Sequence, residues 1–86
     1  MHLDEYEISL SRELGLCNGL ARKCQRLLDR MESRHGMTTA VFLEHWRQGK
    51  LSASREFTAW REGVEGLQRW TDARDEYERL LGIMKI

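Results

Sequence analysis

Apolar residues recur every three or four positions along the first third of the chain. They form two parallel rows at heptad spacing, which is typical of an amphipathic helix that packs lengthwise on another helix. The pattern therefore predicts a helix from about residue 3 to about residue 35. The first row is Leu3, Leu10, Cys17, Cys24 and Met31, and the second is Tyr6, Glu13, Leu20 and Leu27, widened by Leu14, Ala21 and Leu28.

The weak point of this helix is the stretch LGLCNGL, which contains Gly15 and Gly19. Each glycine costs about 1 kcal/mol in a helix interior, and Asn18 between them is a residue type that caps helix starts. A break near residues 15–18 is one interpretation. The apolar rows continue through the stretch without a change of phase, however. This favours one continuous or gently kinked helix, in which both glycines admit a bulky neighbour.

A second long stripe with the same spacing occupies the last third of the chain and predicts a helix over about residues 54–84. Ser52 and Ser54 are competing N-caps for its start. The stripe contains Phe57, Trp60, Val64, Leu67, Trp70, Ala73 or Arg74, Tyr77, Leu81 and Met84.

The connection between the two long segments is short, aromatic and apolar. Gly36 is placed to end the first helix in a left-handed conformation, and Thr38 is a good N-cap for a new one. Gly49 ends this short helix, which we expect over about residues 39–48. Phe42 and Trp46 share one of its faces, because residues four apart return to the same side. An aromatic face of this kind plugs the end of a helical hairpin.

Together these elements predict one all-α domain over residues 1–86, an antiparallel helical hairpin with a short capping helix between its two long helices. Placing residue 35 beside residue 54 makes paired residue numbers sum to about 89 in this register. Gly19 then falls opposite Trp70, and Gly63 and Gly66 fall opposite residues 23–26. We expect small residues to face large ones at these places.

A two-helix hairpin buries only one stripe per helix, and this chain has apolar residues to spare. The leftover surface predicts that self-association or a partner protein completes the hairpin into a bundle. Scattered exposed apolar residues are the alternative, since they are normal on any surface. The residues off the main stripes are Ile8, Leu16, Leu43, Leu80 and Ile83.

Charge changes this picture only locally. Lys plus Arg equals Asp plus Glu at 14 each, so no global field favours nucleic acid or an acidic membrane. Residues 1–20 carry −3, residues 21–50 carry +4, and the remainder carries −1. The basic excess includes a ladder at four-residue spacing, Arg22, Arg26, Arg30 and Arg34.

The ladder has two interpretations. In the first, the arginines bind an acidic protein or nucleic acid. In the second, they form a solvated helix face interlaced with the acidic residues Asp29, Glu32 and Glu56. A helix-turn-helix that reads DNA is disfavoured, because the short helix presents an aromatic face where base-reading polar residues would be needed. The zero net charge weakens the nucleic-acid interpretation further.

Catalytic, metal and membrane chemistry are all expected to be absent. No two of His2, His35 and His45 have the spacing of a helical metal pair. Cys17 and Cys24 are separated by a rise of about 10 Å on one helix, so we interpret them as reduced core residues. No apolar run approaches a membrane span, and the acidic start lacks the features of a signal peptide. We therefore expect a cytoplasmic, non-enzymatic protein without cofactors.

The stretch from Leu27 to Trp70 resembles a group of small helical prokaryotic proteins of the antitoxin type, which are encoded beside a small toxin gene. The match covers about half the chain and departs after Leu51, where Ser52, Ala53 and Ser54 replace an acidic capping run. The resemblance implies a non-catalytic protein that binds, and neutralises, a partner protein. The matching residues are Gly36, Met37, Phe42, Trp46, Gly49, Leu51, Phe57, Trp60 and Trp70.

Partner contacts are expected first at aromatic residues, because these carry interface energy. Phe42, Trp46, Trp60 and Trp70 are the candidates, although each is also a good core residue and core is the favoured interpretation for Trp60 and Trp70. The basic candidates are Arg22, Arg26 and Arg30. Two alternative functions remain: a dimeric nucleic-acid-binding regulator that uses the arginine face, and a purely structural dimerising hairpin.

Overall fold

The computed structural model describes residues 5–84, which form three α-helices and no strand. Helix α1 spans Glu5–His35, α2 spans Thr39–Arg47 and α3 spans Arg55–Met84. The two long helices pack against each other, and α2 lies between them in the chain. The all-α hairpin with a short capping helix is thereby confirmed. Leu3, where we expected α1 to begin, lies outside the described residues.

The turn between α1 and α2 depends on a glycine and a cap. Gly36 has φ +64° and Gly49, after α2, has φ +70°, so both adopt the left-handed conformation that glycine tolerates best. The Thr38 hydroxyl accepts a hydrogen bond of 3.2 Å from the Val41 N–H. This bond satisfies one of the free donors at the start of α2, as the sequence predicts.

Of the two candidate caps for α3, the structure selects Ser54. Its hydroxyl oxygen accepts a hydrogen bond of 3.0 Å from the Phe57 N–H, and its carbonyl oxygen accepts one of 3.1 Å from the Thr58 N–H. Ser52 lies in the connection before the helix. The helix therefore begins one residue later than expected.

Helix α1 is continuous through Gly15 and Gly19, which confirms the favoured interpretation of that stretch. The prediction of a bulky neighbour at these glycines is wrong, because no neighbouring atom lies within 4 Å of the position where a Cβ would stand at either glycine. Each glycine precedes a buried residue, Cys17 or Ala21, by two positions. Two residues turn a helix by roughly 200°, so both glycines lie on the side away from α3 and away from Trp70.

Close packing of α1 against a glycine occurs instead at Gly63 and Gly66. A Cβ at Gly63 would stand 2.9 Å from Leu27 Cδ2, and one at Gly66 would stand 2.9 Å from Cys24 Sγ. Higher numbers on α3 meet lower numbers on α1, so the helices run antiparallel. The paired numbers sum to 90 at both sites, one more than expected. Gly63 therefore faces a large residue, as expected, whereas Gly66 faces the small side chain of Cys24. Each partner lies one position beyond the expected one.

The densest core lies at the turn end of the hairpin. Phe42 of α2 and Trp60 of α3 have 0% of their surface exposed, and their rings stack with centroids 4.0 Å apart at 3°. Leu28 and Met31 of α1 complete this cluster. Helix α2 thus plugs the end of the hairpin through Phe42, as its aromatic face predicts.

Towards the open end the core becomes a single thin seam. The fully buried apolar residues there are Leu10, Cys17, Ala21 and Leu81. The molecule measures 57 × 19 × 17 Å and has a radius of gyration of 17.1 Å, against about 12 Å for a compact domain of this length. An elongated hairpin of this kind leaves the two sides of its helix pair open.

Candidate protein-binding surface

Within residues 5–84, one side of the hairpin carries apolar side chains that are only partly buried. Seven residues make two helical turns and return to nearly the same side. Leu20 therefore lies on the same side of α1 as Leu27, seven residues before it. Trp70 and Tyr77 lie on the same side of α3 as Gly63, seven and fourteen residues after it. Since Leu27 meets Gly63, the same register places Leu20 at the level of Trp70.

The same rule extends this surface to its full width. Ala73 and Leu80 follow Gly66 at seven-residue intervals, and Leu16 lies one turn before Leu20. None of these positions is fully buried, and Leu16 is 55% exposed. We call the surface formed by the following six residues the apolar flank: Leu16, Leu20, Trp70, Ala73, Tyr77 and Leu80.

The opposite side of the helix pair has a different character. A groove runs there between α1 and α3, with Ala21 and Leu67 among its walls. Its other lining residues are polar, so water can solvate this side without a partner, whereas it cannot solvate the apolar flank favourably. The polar lining residues are Asn18, Arg22, Gln25, Thr71 and Arg74.

The total surface shows how much of the hairpin is uncovered. The accessible surface of the 10.2 kDa chain is 6409 Å². A compact monomer of this mass exposes roughly 5300 Å², so the hairpin exposes about 1100 Å² more than a compact fold needs. The apolar flank contributes to this surplus.

The four aromatic candidates occupy three different environments. Phe42 and Trp60 have no exposed surface, so in this fold they build the core and offer no surface to a partner. Trp46 is half-buried beside Phe42, with ring centroids 6.0 Å apart, and the Arg61 guanidinium lies 5.4 Å from its ring centroid. Trp70 alone lies on the apolar flank, where it is half-buried.

The apolar residues off the main stripes separate in the same way. Ile8, Leu16 and Ile83 are exposed, as their positions predict. Leu43 is an exception, because it packs against the core cluster at the turn end. Of the exposed residues, Ile8 lies two positions before the buried Leu10 and so faces away from the seam, outside the apolar flank.

The arginine ladder is exposed along its whole length. Within residues 5–84, Arg22, Arg26 and Arg30 form no ion pair, whereas Arg34 donates a hydrogen bond of 2.6 Å to Glu56 Oε1. This contact holds the pKa of the Glu56 carboxyl below its usual value. The His35 Nε2 atom lies 3.3 Å from the same oxygen but without hydrogen-bond geometry.

The acidic residues expected to interlace the ladder are largely engaged elsewhere. Asp29 accepts a hydrogen bond of 2.9 Å from the Gln25 side chain, and Glu32 accepts one of 2.7 Å from the Thr39 N–H. In the described part of the chain, only Glu56 forms an ion pair with an arginine of the ladder. Three basic side chains are therefore left for an external anion.

No cluster of metal ligands accompanies these surfaces. Among residues 5–84, no three His, Cys, Asp or Glu side chains come together as a metal site. Cys17 is buried and Cys24 half-buried, both as free thiols. No helix in the described part of the chain is long and apolar enough to cross a membrane.

Fold and surface together describe an antiparallel helical hairpin with a short helix at its turn end and apolar side chains on one flank. Comparison with known proteins adds no relative, since no family model, no curated protein and no solved structure matches the chain. The antitoxin-type resemblance therefore depends on the residues quoted for it. Several of these, including Gly36, Gly49 and Trp60, have structural roles as helix ends or core.

The sequence predicts part of the apolar flank. Leu16 and Leu80 belong to the leftover surface expected to be covered by a partner, and Trp70 is a candidate contact. Leu20, Ala73 and Tyr77 belong to the stripes that predict helix packing. The seven-residue interval from Gly63 and Gly66 was the signal that would have found them. Using that interval requires the register between α1 and α3 to be known within one residue.

Proposed function

We propose that this chain is a non-catalytic helical module that binds another protein through its apolar flank. The observation that carries the proposal is a set of partly exposed apolar side chains on one side of the hairpin, opposite a polar groove. Glu13, seven residues before Leu20, is the one half-buried carboxylate in the same row of α1. Trp70 and Tyr77 lie within the apolar flank, and Trp and Tyr are enriched among the residues that dominate interface energies. The elongated shape supports the proposal, because a hairpin with a thin seam gains stability when a partner completes a bundle.

The antitoxin-type resemblance supports a more specific form of this proposal. The partner is then a small toxin protein encoded beside this chain, and binding neutralises it in the cytoplasm. A helical surface with aromatic and aliphatic anchors suits such a partner, since helix faces dock into apolar grooves.

The test is the mass of the complex in solution. The chain is purified alone and together with the product of the adjacent gene, and light scattering behind a sizing column gives each mass. The expected result is a defined complex of the two proteins. If the chain forms no complex with the product of the adjacent gene at any mixing ratio of the two proteins, the antitoxin-type form of the proposal is contradicted.

Two matched variants show whether the apolar flank is the surface in use. Leu16→Glu places a carboxylate on the apolar flank, and Ile8→Glu places one on the outer face of the same helix. Each new carboxylate stands four residues from Arg12. The order is favourable at position 8 and reversed at position 16, and the two orders differ by only a few tenths of a kcal/mol. We expect Leu16→Glu to weaken the complex by about tenfold or more, while Ile8→Glu leaves it unchanged. Equal effects would contradict the role of the apolar flank.

A second function is supported by the three arginines without ion pairs. A dimer that presents Arg22, Arg26 and Arg30 on each copy would bind nucleic acid through the phosphates. Retention on DNA should then fall steeply with salt, by a log–log slope of about −0.9 for each phosphate neutralised. Gln at all three positions should abolish retention. Absence of retention at low salt would exclude this function.

A further inference from the structure

We infer that, in the chain alone, a second copy of the same chain occupies the apolar flank, packed antiparallel to the first in a four-helix bundle. The inference rests on the proposed function, because it uses the same binding surface and names its occupant. A two-fold dimer suits a single surface patch, since both copies then contribute the same residues.

The charge distribution along the hairpin selects this occupant. The open end, residues 5–20 and 70–84, has seven acidic and three basic side chains, a net charge of −4. The turn end, residues 21–69, has ten basic and six acidic side chains, a net charge of +4. Leu20 and Trp70 lie side by side on the two helices. The boundary between the open end and the turn end therefore falls at the same height on α1 and on α3. Each copy therefore has an acidic end and a basic end.

This polarity decides the orientation of the two copies. Antiparallel packing sets the acidic end of one copy beside the basic end of the other, whereas parallel packing sets like charges together. A two-fold axis at the level of Leu16 brings residue 5 of one copy opposite about residue 27 of the other, by the 1.5 Å helical rise. Glu5, near the acidic end of one copy, then reaches the basic end of the other. It forms no ion pair within residues 5–84 of one chain.

The elongated shape leaves surface for a second copy to cover. A standard interface buries about 800 Å² on each partner. Five of the six side chains of the apolar flank are half-buried, so the polar residues that border the flank belong to the interface as well. The apolar flank supplies the desolvated centre of such an interface, with Trp70 and Tyr77 as its large anchors. The charged turns on either side supply a polar rim.

The experiment is sedimentation equilibrium of the full chain alone, at several protein and salt concentrations. Attraction between opposite ends weakens when salt screens it, so the dimer Kd should rise at least about threefold between about 50 mM and about 500 mM NaCl. A Kd that falls with salt would overturn the antiparallel arrangement. A monomer at every concentration would overturn the second copy as occupant.

Variants separate this inference from the proposed function. Leu16→Glu should convert the dimer to a monomer, and Ile8→Glu should leave the dimer intact. If the wild-type chain is monomeric but binds the neighbouring gene product through Leu16, the inference fails and the proposed function stands. If Leu16→Glu changes neither self-association nor binding of that product, both fail.

Discussion

Trp60 is the side chain on which all three helices meet. Its ring stacks on Phe42 of α2 at 4.0 Å and on His35 of α1 at 5.5 Å. Its indole N–H donates a hydrogen bond of 3.1 Å to the Thr39 hydroxyl at the start of α2. A fully buried aromatic ring therefore keeps its one polar group satisfied, which is the usual condition for burying Trp. These contacts fix α2 across the turn end.

The hydrogen bond to Thr39 gives the first prediction. Thr39→Val keeps the shape of the side chain but leaves the indole N–H of Trp60 without an acceptor. We expect the free energy of unfolding to fall by about 1–3 kcal/mol, as measured by urea denaturation. In a Trp60→Phe background the N–H is gone, so the same change should cost less. Equal costs in both backgrounds would show that this bond contributes nothing.

The contact between Arg34 and Glu56 gives a prediction about pH. The hydrogen bond from Arg34 is the main cause that lowers the pKa of the Glu56 carboxyl from its ordinary 4.5, against an opposing effect of burial, and the charges of Arg34 and His35 assist. Because the folded-state pKa is depressed, the stabilisation is present above about pH 4.5 and is lost as pH falls through the lower value.

Glu56→Gln should therefore lower the Tm at about pH 7, and the difference from wild type should shrink below about pH 4.5, as the Glu56 carboxylate of the wild type is protonated through its lowered pKa. Glu62→Gln serves as the control, because Glu62 is exposed and forms no ion pair within residues 5–84. It should leave the Tm nearly unchanged at about pH 7. A Tm difference for Glu56→Gln that persists in acid would contradict the ion pair as its cause.

At the scale of single helices, the ends are decided by local chemistry. Gly36 and Gly49 supply left-handed turns, and Thr38 and Ser54 supply caps. For this reason the described helix ends could be predicted from sequence to within one residue. The choice between Ser52 and Ser54 could not, since both residue types cap equally well and only the path of the connection separates them.

The cap of α3 gives a matched pair of substitutions. Ser54→Ala removes the acceptor for the Phe57 N–H and should cost about 1 kcal/mol of stability. Ser52→Ala removes a hydroxyl that caps nothing within residues 5–84 and should change stability by less than about 0.5 kcal/mol. Thermal or urea unfolding of both variants measures the difference. Equal effects would show that Ser54 is not the cap.

The glycines of the two long helices give another pair. Gly15 faces open space, so Gly15→Ala should stabilise the protein by about 0.5–1 kcal/mol through the better helix propensity of Ala. At Gly63 a Cβ would stand 2.9 Å from Leu27 Cδ2 and 3.4 Å from Leu28 Cδ2. Leu27 must move to admit it, so Gly63→Ala should be less stable than Gly15→Ala. Equal stabilisation by both would contradict the register between α1 and α3.

At the scale of the whole molecule, the two sides of the hairpin differ in kind. The apolar flank and the polar groove arise from the same two helices, and only their register decides which residues share a side. Heptad spacing predicted the hairpin well, because each stripe is a property of one helix. It does not separate core from surface within a stripe, so it gives Trp60, which is buried, and Trp70, which is half-buried, the same core assignment.

The same reasoning explains why the sequence left the site largely unassigned. Trp60 and Trp70 are identical residues in one stripe, ten positions apart, and their different burial depends on α2, which covers the turn end alone. A prediction of what α2 covers needs its docking angle, which no spacing rule supplies. The proposed partner surface therefore emerges only at the level of the assembled hairpin.

The most direct test of a protein-binding apolar flank is the solvent accessibility of individual methyl groups, measured by NMR with a soluble paramagnetic agent. The chain is studied diluted, concentrated, and with the neighbouring gene product. We predict that the methyls of Leu16, Leu20 and Leu80 lose accessibility in at least one of the two latter samples, while the Ile8 methyls stay accessible in all three. Protein binding through the apolar flank would be contradicted if these methyls stay accessible in all three samples. It would also be contradicted if protection appears at Ile8 instead.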